Sequence, residues 1–284
     1  MQPEFRADLH CHTTCSDGSD DPLALLRLAK QVGLQGLSIT DHDTIDAYTP
    51  ELFSEAERLE IRLLPGIEIS SELDDSVVHI LGYGYDLPAS ELRPFLIQMQ
   101  ERRGERNRAI LKKLAQRKMP ISEEELRAFA TDRTIGRPHI AQLMVKKGYV
   151  ATMRDAFEIY LREGGLCYAP GIKHSPREAI DQIHQAGGKA VLAHPHFFKK
   201  GSFLRKLLDL PFDGIECYYS KLAKALELPW LKMAKERSLI ATGGSDYHGA
   251  VKPQIPLGCS WVTEHTFDLL ASNRSKGEKG SGGD

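Results

Sequence analysis

The sequence predicts an α/β protein: a parallel sheet built from repeated βαβ units, wrapped as a barrel and interrupted by one helical insertion. Three observations carry this. Short apolar runs of strand length alternate with amphipathic stretches of helix length along most of the chain. That alternation breaks once, from Ala89 to about Gly164, where the pattern is helical only. The 284 residues, 41% of them hydrophobic, suffice for a large core, as a single α/β barrel or as two smaller domains.

The strand candidates, in order, are Phe5 to His10, Gly36 to Thr40, Ile61 to Ile69, Val77 to Tyr83, Ala190 to Ala193, Gly214 to Tyr218 and Leu239 to Thr242. Between them, Pro22 to Val32, Tyr48 to Leu59, Pro176 to Ala186 and Leu222 to Arg237 read as amphipathic helices. Inside the insertion, Pro120 to Glu125 looks like a capped helix restart, and Thr152 to Asp155 like another. The expected organisation is therefore a barrel of residues 1–88 and 165–270, a helical insertion of 89–164 covering one end of it, and a disordered Gly, Ser and Lys-rich tail at 271–284.

Composition narrows the function classes. A net charge of -2 provides no global field for holding nucleic acid, so a polyanionic substrate must be gripped locally and no stable nucleic-acid complex is expected. The five cysteines, with no CxxC pair, read as reduced thiols of a cytoplasmic protein. No stretch reaches the length of a membrane span and the first residues lack a leader pattern. Oligomeric state is not legible.

The chemistry-bearing residues collect at the strand ends. His10 and His12 are two residues apart, so in an extended strand both point to one face and can bite one cation, with Asp17 a short turn away. His42 follows the second apolar run, Glu68 ends the third, His79 lies in the fourth, His194 follows the next, and Asp246 with His248 follows the last. In parallel barrels the βα loops converge at the carboxyl ends of the strands, and catalytic groups gather there. Any one of these histidines is more readily explained as a core or surface residue; six of the eleven, with three carboxylates, are not. Imidazole mixed with carboxylate and no thiolate suits Mn, Zn or Fe, and the number of donors calls for two or three divalent cations, with Glu68 bridging. His184 is expected on an exposed helix face, and His196 and His265 as structural or surface residues.

The motifs DLHCHTTCSDG, ITDHDT, LPGIEIS, VHILGYG, VLAHP and GGSDYHG together resemble the polymerase and histidinol phosphatase (PHP) domain family, over nearly the whole chain up to about residue 265. The resemblance implies a distorted seven-stranded (β/α) barrel, similar to a TIM barrel, with a trinuclear metal centre. It assigns His10, His12, Glu68 and Asp246 to one ion, Glu68, His79 and His194 to a second, and Asp17, His42 and His248 to a third, with manganese the first expectation. It also makes Glu68, His194 and Asp246 the catalytic residues of a metal-assisted phosphoester hydrolysis.

Within that family the insertion segment Thr134 to Ala141 resembles the branch of nucleoside 3',5'-bisphosphate phosphatases and 5' to 3' exoribonucleases. Arg137 offers a planar fork for a phosphate and His139 a switchable donor. The basic run from Arg102 to Arg108 is charge-interleaved, yet Arg103 and Arg106 share a helix face, and Arg106 is expected to approach a phosphate. Lys173 is a further candidate phosphate contact. One departure stands out: this branch usually carries Gly-Arg-Tyr after AHP, whereas the chain reads His196-Phe197-Phe198-Lys199-Lys200, leaving Lys199 or Lys200 as substitute charges. The expected substrate is a nucleoside 3',5'-bisphosphate or a short 5'-phosphorylated RNA. A small-molecule phosphatase such as histidinol phosphatase, and a non-catalytic polymerase-associated module, remain the alternatives.

Overall fold

The computed structural model describes residues 4–74, 76–130, 134–171, 174–198, 201–220 and 222–272. The chain runs β1 (Ala7–Asp8), α1 (Pro22–Gln31), β2 (Gly36–Leu37), α2 (Pro50–Arg58), β3 (Arg62–Leu63), β4 (Gly66–Leu73) and β5 (Ser76–Tyr83). It continues through α3 (Arg93–Gln116), α4 (Glu123–Ala130), α5 (Arg137–Lys146), α6 (Met153–Asp155) and a π-helical turn at Ala156–Leu161. The last part is α7 (Pro176–Gln185), β6 (Lys189–Leu192), α8 (Gly201–Leu208), β7 (Gly214–Tyr219), α9 (Lys224–Glu236), β8 (Ile240–Gly244) and α10 (Glu264–Ala271).

Helix starts follow local chemistry. Asp21 accepts from the N–H groups of Leu23 and Ala24 ahead of a proline at the first turn of α1, and Ser175 and Glu178 cap α7 reciprocally. The restart expected at Pro120 to Glu125 is α4, with Ser122 and Glu125 exchanging backbone and side-chain hydrogen bonds, and Thr152 caps α6 through Asp155.

The strands form two sheets. In one, β1, β2 and β3 are parallel; in the other, the order is β4-β5-β6-β7-β8. The expectation of parallel βαβ units throughout is corrected here. The run Ile61 to Ile69 splits at Leu64 and Pro65 into β3 and β4, and β4 turns back through a tight turn, with Asp74 at φ 48°, to pair antiparallel with β5. β5 also pairs antiparallel with β6, and within this larger sheet only β6, β7 and β8 are mutually parallel. Single bridges join the sheets' ends: His42 to Glu68 and Cys11 to Tyr247. The architecture is thus mixed α/β, with no continuous ladder around the described strands.

Apolar packing separates the body from the insertion. Ile67, Ile69, Ile80, Leu192, Ile215 and Ile183 pack α7 and neighbouring helices onto the larger sheet. Ile110, Leu114, Leu126, Ile140, Met144 and Leu161 form a second core, which also takes in Cys167 and Ala169 beyond residue 164. Each fully buried aliphatic side chain of this kind stabilises by roughly 1.5–3 kcal/mol. Helix α3 belongs to both: Leu96 and Met99 enter the sheet core, and Ile110, Leu111 and Leu114 the insertion core. Residues 103–107 therefore lie at the junction.

Among the described residues no helix is long and apolar enough to cross a membrane, and the five cysteines are free. His184 is half-buried rather than exposed, its Nε2 2.7 Å from Asp213, whereas His265 is exposed as expected. The tail reading from 273 onward, Lys173, Lys199 and Lys200 lie outside the described residues.

Candidate metal centre

The HxH segment leaves β1 in extended form, held from both sides. Buried Asp8 accepts from the N–H groups of Ser245 (2.9 Å), Gly258 (2.8 Å) and His10 (3.2 Å), which ties the end of β1 to the segment after β8. Gly244 makes this close approach possible, because a Cβ there would collide with the backbone and Cβ of His10. Buried Asp41 accepts from Thr13 N–H (2.8 Å), Thr13 Oγ1 (2.6 Å) and Ser16 Oγ (2.5 Å), fixing the turn that carries Asp17 beside His12.

Glu68 is the hub. Its Oε2 lies 3.3 Å from His10 Nε2, 3.1 Å from His12 Nε2 and 3.3 Å from His42 Nδ1. Its Oε1 lies 2.9 Å from His79 Nδ1 and 3.0 Å from His194 Nε2. Five imidazoles from four chain segments thus converge on one carboxylate that is 1% exposed. Burial works against its charge, but the imidazoles of His42, His79 and His10 outweigh that and hold Glu68 well below the usual carboxylate range. Asp17 and Asp246 are held low in the same way against their burial, by His248 and His42 and by Lys252 and His248 respectively.

Around that hub, Asp17 Oδ1 is 3.3 Å from His248 Nε2 and 3.6 Å from His12 Nδ1. Asp246 presents Oδ1 to His10 (3.5 Å), His12 (3.4 Å) and His248 (3.5 Å), while Tyr219 (2.6 Å) and Lys252 (2.8 Å) donate to its Oδ2. One oxygen is thereby left for the imidazole side. Three donor sets have all their ligand atoms within 4.8 Å of one another: His12, Asp17, His42 and His248; His10, His12 and Asp246; His42, Glu68 and His79. His194 joins the last set at 3.3 Å from His79.

The donor set fits divalent cations. Nitrogen and oxygen ligands about 2.0–2.2 Å from one ion stand roughly 3.0–3.4 Å from each other, the spacing found around Glu68. Both ring nitrogens of His12 and Nδ1 of His42 are buried without a hydrogen bond. They approach carboxylate oxygens but are not aligned to donate to them, as befits groups directed at a shared cation. His194 and Asp246 also sit at φ 27° and 56°, and such left-handed backbone in non-glycine residues gathers at functional sites.

A cavity of about 200 Å³ opens beside this cluster, lined by Asp17, His42 and His79 together with Arg103, Arg106 and Arg137 of the insertion. Arg103 is tied down by an ion pair with buried Asp43 and by Ser70 Oγ (2.8 Å), and Arg137 donates to the Leu161 carbonyl (3.2 Å). Arg106 is different: it is 5% exposed, and its Nε and Nη2 have no hydrogen-bond partner among the described residues. Burial and the adjacent Arg103 and Arg137 push its pKa down to about 9, still protonated at neutral pH. Its stem is packed against Gly171, where a Cβ would strike Arg106 Cβ, Cγ and Cδ. His139 is placed otherwise than expected for a substrate contact: it is buried, and its Nδ1 accepts from Gly136 N–H (3.1 Å), capping α5.

Sequence reasoning missed Glu216. It lies within β7, 1% exposed, with Oε1 2.8 Å from His10 Nδ1 and Oε2 accepting from His194 N–H (2.7 Å). One carboxylate thus orients the His10 ring so that Nε2 faces Glu68 and anchors the strained backbone of His194. The available signal was a lone Glu in the apolar strand Gly214 to Tyr218, where a buried acid needs paired donors. Glu216→Gln, which offers a single acceptor oxygen, is expected to weaken cation affinity about 10–100-fold, read by metal content after dialysis against graded chelator. Unchanged metal content with a lowered melting temperature would make Glu216 purely structural.

Comparison with known proteins agrees with this geometry. The PHP domain family model matches residues 8–161. The 5'-3' exoribonuclease Rnm of Salmonella typhimurium is 36% identical over 258 residues, covering 88% of this chain and 87% of that protein. The 3',5'-nucleoside bisphosphate phosphatase of Chromobacterium violaceum is 31% identical over 268 residues, 92% of each chain. A crystal structure of a candidate metal-dependent phosphoesterase from Bifidobacterium adolescentis superposes with a TM-score of 0.84 at 31% identity, over 94% of this chain and 96% of that one. With its histidine and carboxylate cluster at the strand ends and a family match over more than half its length, the chain belongs to the PHP domain family.

Proposed function

We propose that this protein is a divalent-cation-dependent phosphoric ester hydrolase that removes phosphate from a nucleoside 3',5'-bisphosphate or from the 5' end of a short RNA. The observation that carries the reading is one cavity bordered by metal-competent groups (Asp17, His42, His79) and by an arginine cluster containing a buried guanidinium with two unpaired nitrogens. A phosphate ester complements both halves: its oxygens suit cations and its charge suits Arg106. The names of the relatives from Salmonella typhimurium and Chromobacterium violaceum support nucleotide or RNA phosphate as the substrate class.

In this reading His10, His12, Asp17, His42, Glu68, His79, His194, Asp246 and His248 hold two to three cations, with manganese the first to test. When bound, such cations supply Lewis acidity toward phosphate oxygens and lower the pKa of water toward neutrality. The chain's own side chains do the rest. Arg103, fixed by Asp43 and Ser70, and Arg137, fixed by Leu161, form a rigid frame, and Arg106 directs its free N–H groups to a non-reacting oxygen. Asp43 and Asp41 keep the loops bearing these groups in place. Glu68, His194 and Asp246 are assigned the catalytic roles because they meet at the hub of the cluster. The two sheets, with β3 and β4 counted as one strand broken at Leu64 and Pro65, are read as arcs of one distorted seven-stranded barrel, a reading supported by the His42–Glu68 and Cys11–Tyr247 bridges. The insertion of 89–164 acts as its cover.

The test is inorganic phosphate release by manganese-reconstituted protein from adenosine 3',5'-bisphosphate, a 5'-phosphorylated oligoribonucleotide and histidinol phosphate. Turnover of either nucleotide substrate well above histidinol phosphate is expected; preference for histidinol phosphate would overturn the substrate assignment.

A further inference from the structure

We infer that the exposed ring of Phe197 is a stacking platform for the nucleobase next to the reacting phosphate, and that the cleft beyond it receives a second nucleotide. This rests on the phosphoesterase reading above and specifies what flanks the phosphate.

Phe197 ends a single 3-10 turn, Pro195–Phe197, that begins immediately after His194. It is 59% exposed, against 37% for Phe53, the other phenylalanine exposed among the described residues. Its neighbour Phe198 is partly buried, packing on Phe203 at 5.3 Å and against the sheet core. The Phe197 centroid is 5.2 Å from His194, 4.3 Å from His196 and 5.6 Å from Tyr219. The ring is therefore braced from behind while reaching solvent, one residue layer from the metal-competent cluster. A nucleoside whose phosphate lies beside His79 and His194 can bring its base to such a surface.

The cleft next to Phe197 measures about 880 Å³, toward the upper end of the roughly 300–1,000 Å³ usual for ligand sites. It adjoins the phosphate cavity, since Val77, Arg137 and Phe157 line both. Its aromatic walls are Phe157, Phe197, Phe198 and Phe203. Its charges nearly cancel: Arg137, Arg162 and Lys206 face Asp74 and Glu163, and Lys206 is paired with Asp74 at 2.6 Å. A backbone-tracking groove would be strongly basic; a nearly neutral aromatic cleft suits bases, every one of which has a π-face.

The experiment compares wild type, Phe197→Ala and Phe197→Trp, all manganese-reconstituted, on a 5'-phosphorylated tetraribonucleotide, adenosine 3',5'-bisphosphate and base-free ribose 5-phosphate. Because Phe197 is exposed, all three proteins should melt within a degree or two of one another. For Phe197→Ala, KM on the nucleotide substrates is expected to rise about tenfold with kcat little changed. Its preference for nucleotide over ribose 5-phosphate should fall by the same factor, and Phe197→Trp should restore it. An equal loss on all three esters, or an unchanged KM on both nucleotides, overturns the stacking role while leaving the phosphoesterase reading intact. Failure of wild type to hydrolyse either nucleotide overturns both.

Discussion

Replacing Glu68 with alanine is expected to lower kcat/KM for phosphate release by about 10³-fold or more, while the protein still folds. Glu68 is the one carboxylate approached by five imidazoles, at 2.9 to 3.3 Å, so every proposed cation position near it depends on its charge. Folding is spared because the neighbours that build β4, Ile67 and Ile69, make the apolar contacts, whereas Glu68 points into the polar cluster. Glu68→Gln, which keeps the shape and loses the charge, should fail almost as badly. Steady-state kinetics with metal content measured on the same samples checks this. Full turnover by metal-replete Glu68→Ala would remove Glu68 from the hub.

Arg106→Met carries a prediction with opposite signs for activity and stability. The guanidinium is buried beside Arg103 and Arg137 with two of its nitrogens unpaired, an arrangement that costs free energy in the ligand-free fold. An apolar side chain of similar length removes that cost, so thermal unfolding of the variant should occur at higher temperature, by about 1–3 kcal/mol of added stability. Loss of a charge-assisted contact to phosphate should raise KM and cut kcat/KM about 100-fold. Kinetics and melting curves recorded together decide the matter. A structural arginine would show the reverse pattern, lower stability with little change in KM.

The residues of the candidate metal centre were legible in the sequence because a strand end is marked by where an apolar run stops, and because His and carboxylate at many such ends have no shared structural explanation. His10, His12, Asp17, His42, Glu68, His79, His194, Asp246 and His248 all meet in the fold, brought together by the converging segments. Strand direction was less legible. An apolar run reads alike whether its partner is parallel or antiparallel, and the β4–β5 hairpin depends on a tight turn at Asp74 rather than on periodicity. Helices α8 and α10 were missed, each being only eight residues long.

Residues that act through others were legible least. Glu216 reads as an interior strand residue until the fold sets it between His10 and His194. His139 read as a switchable donor at a helix start, and the fold uses its Nδ1 as the cap. The spacing of Arg103 and Arg106 showed that they share a face, but only packing reveals that Asp43 neutralises the first and nothing comparable reaches the second.

The most direct test is to strip the protein with chelator, return manganese in steps, and follow phosphate release from adenosine 3',5'-bisphosphate alongside bound metal. Negligible turnover in the stripped protein is predicted, with activity emerging only as more than one equivalent binds. Undiminished turnover by metal-free protein, or none in protein loaded with two or more equivalents, would contradict the account.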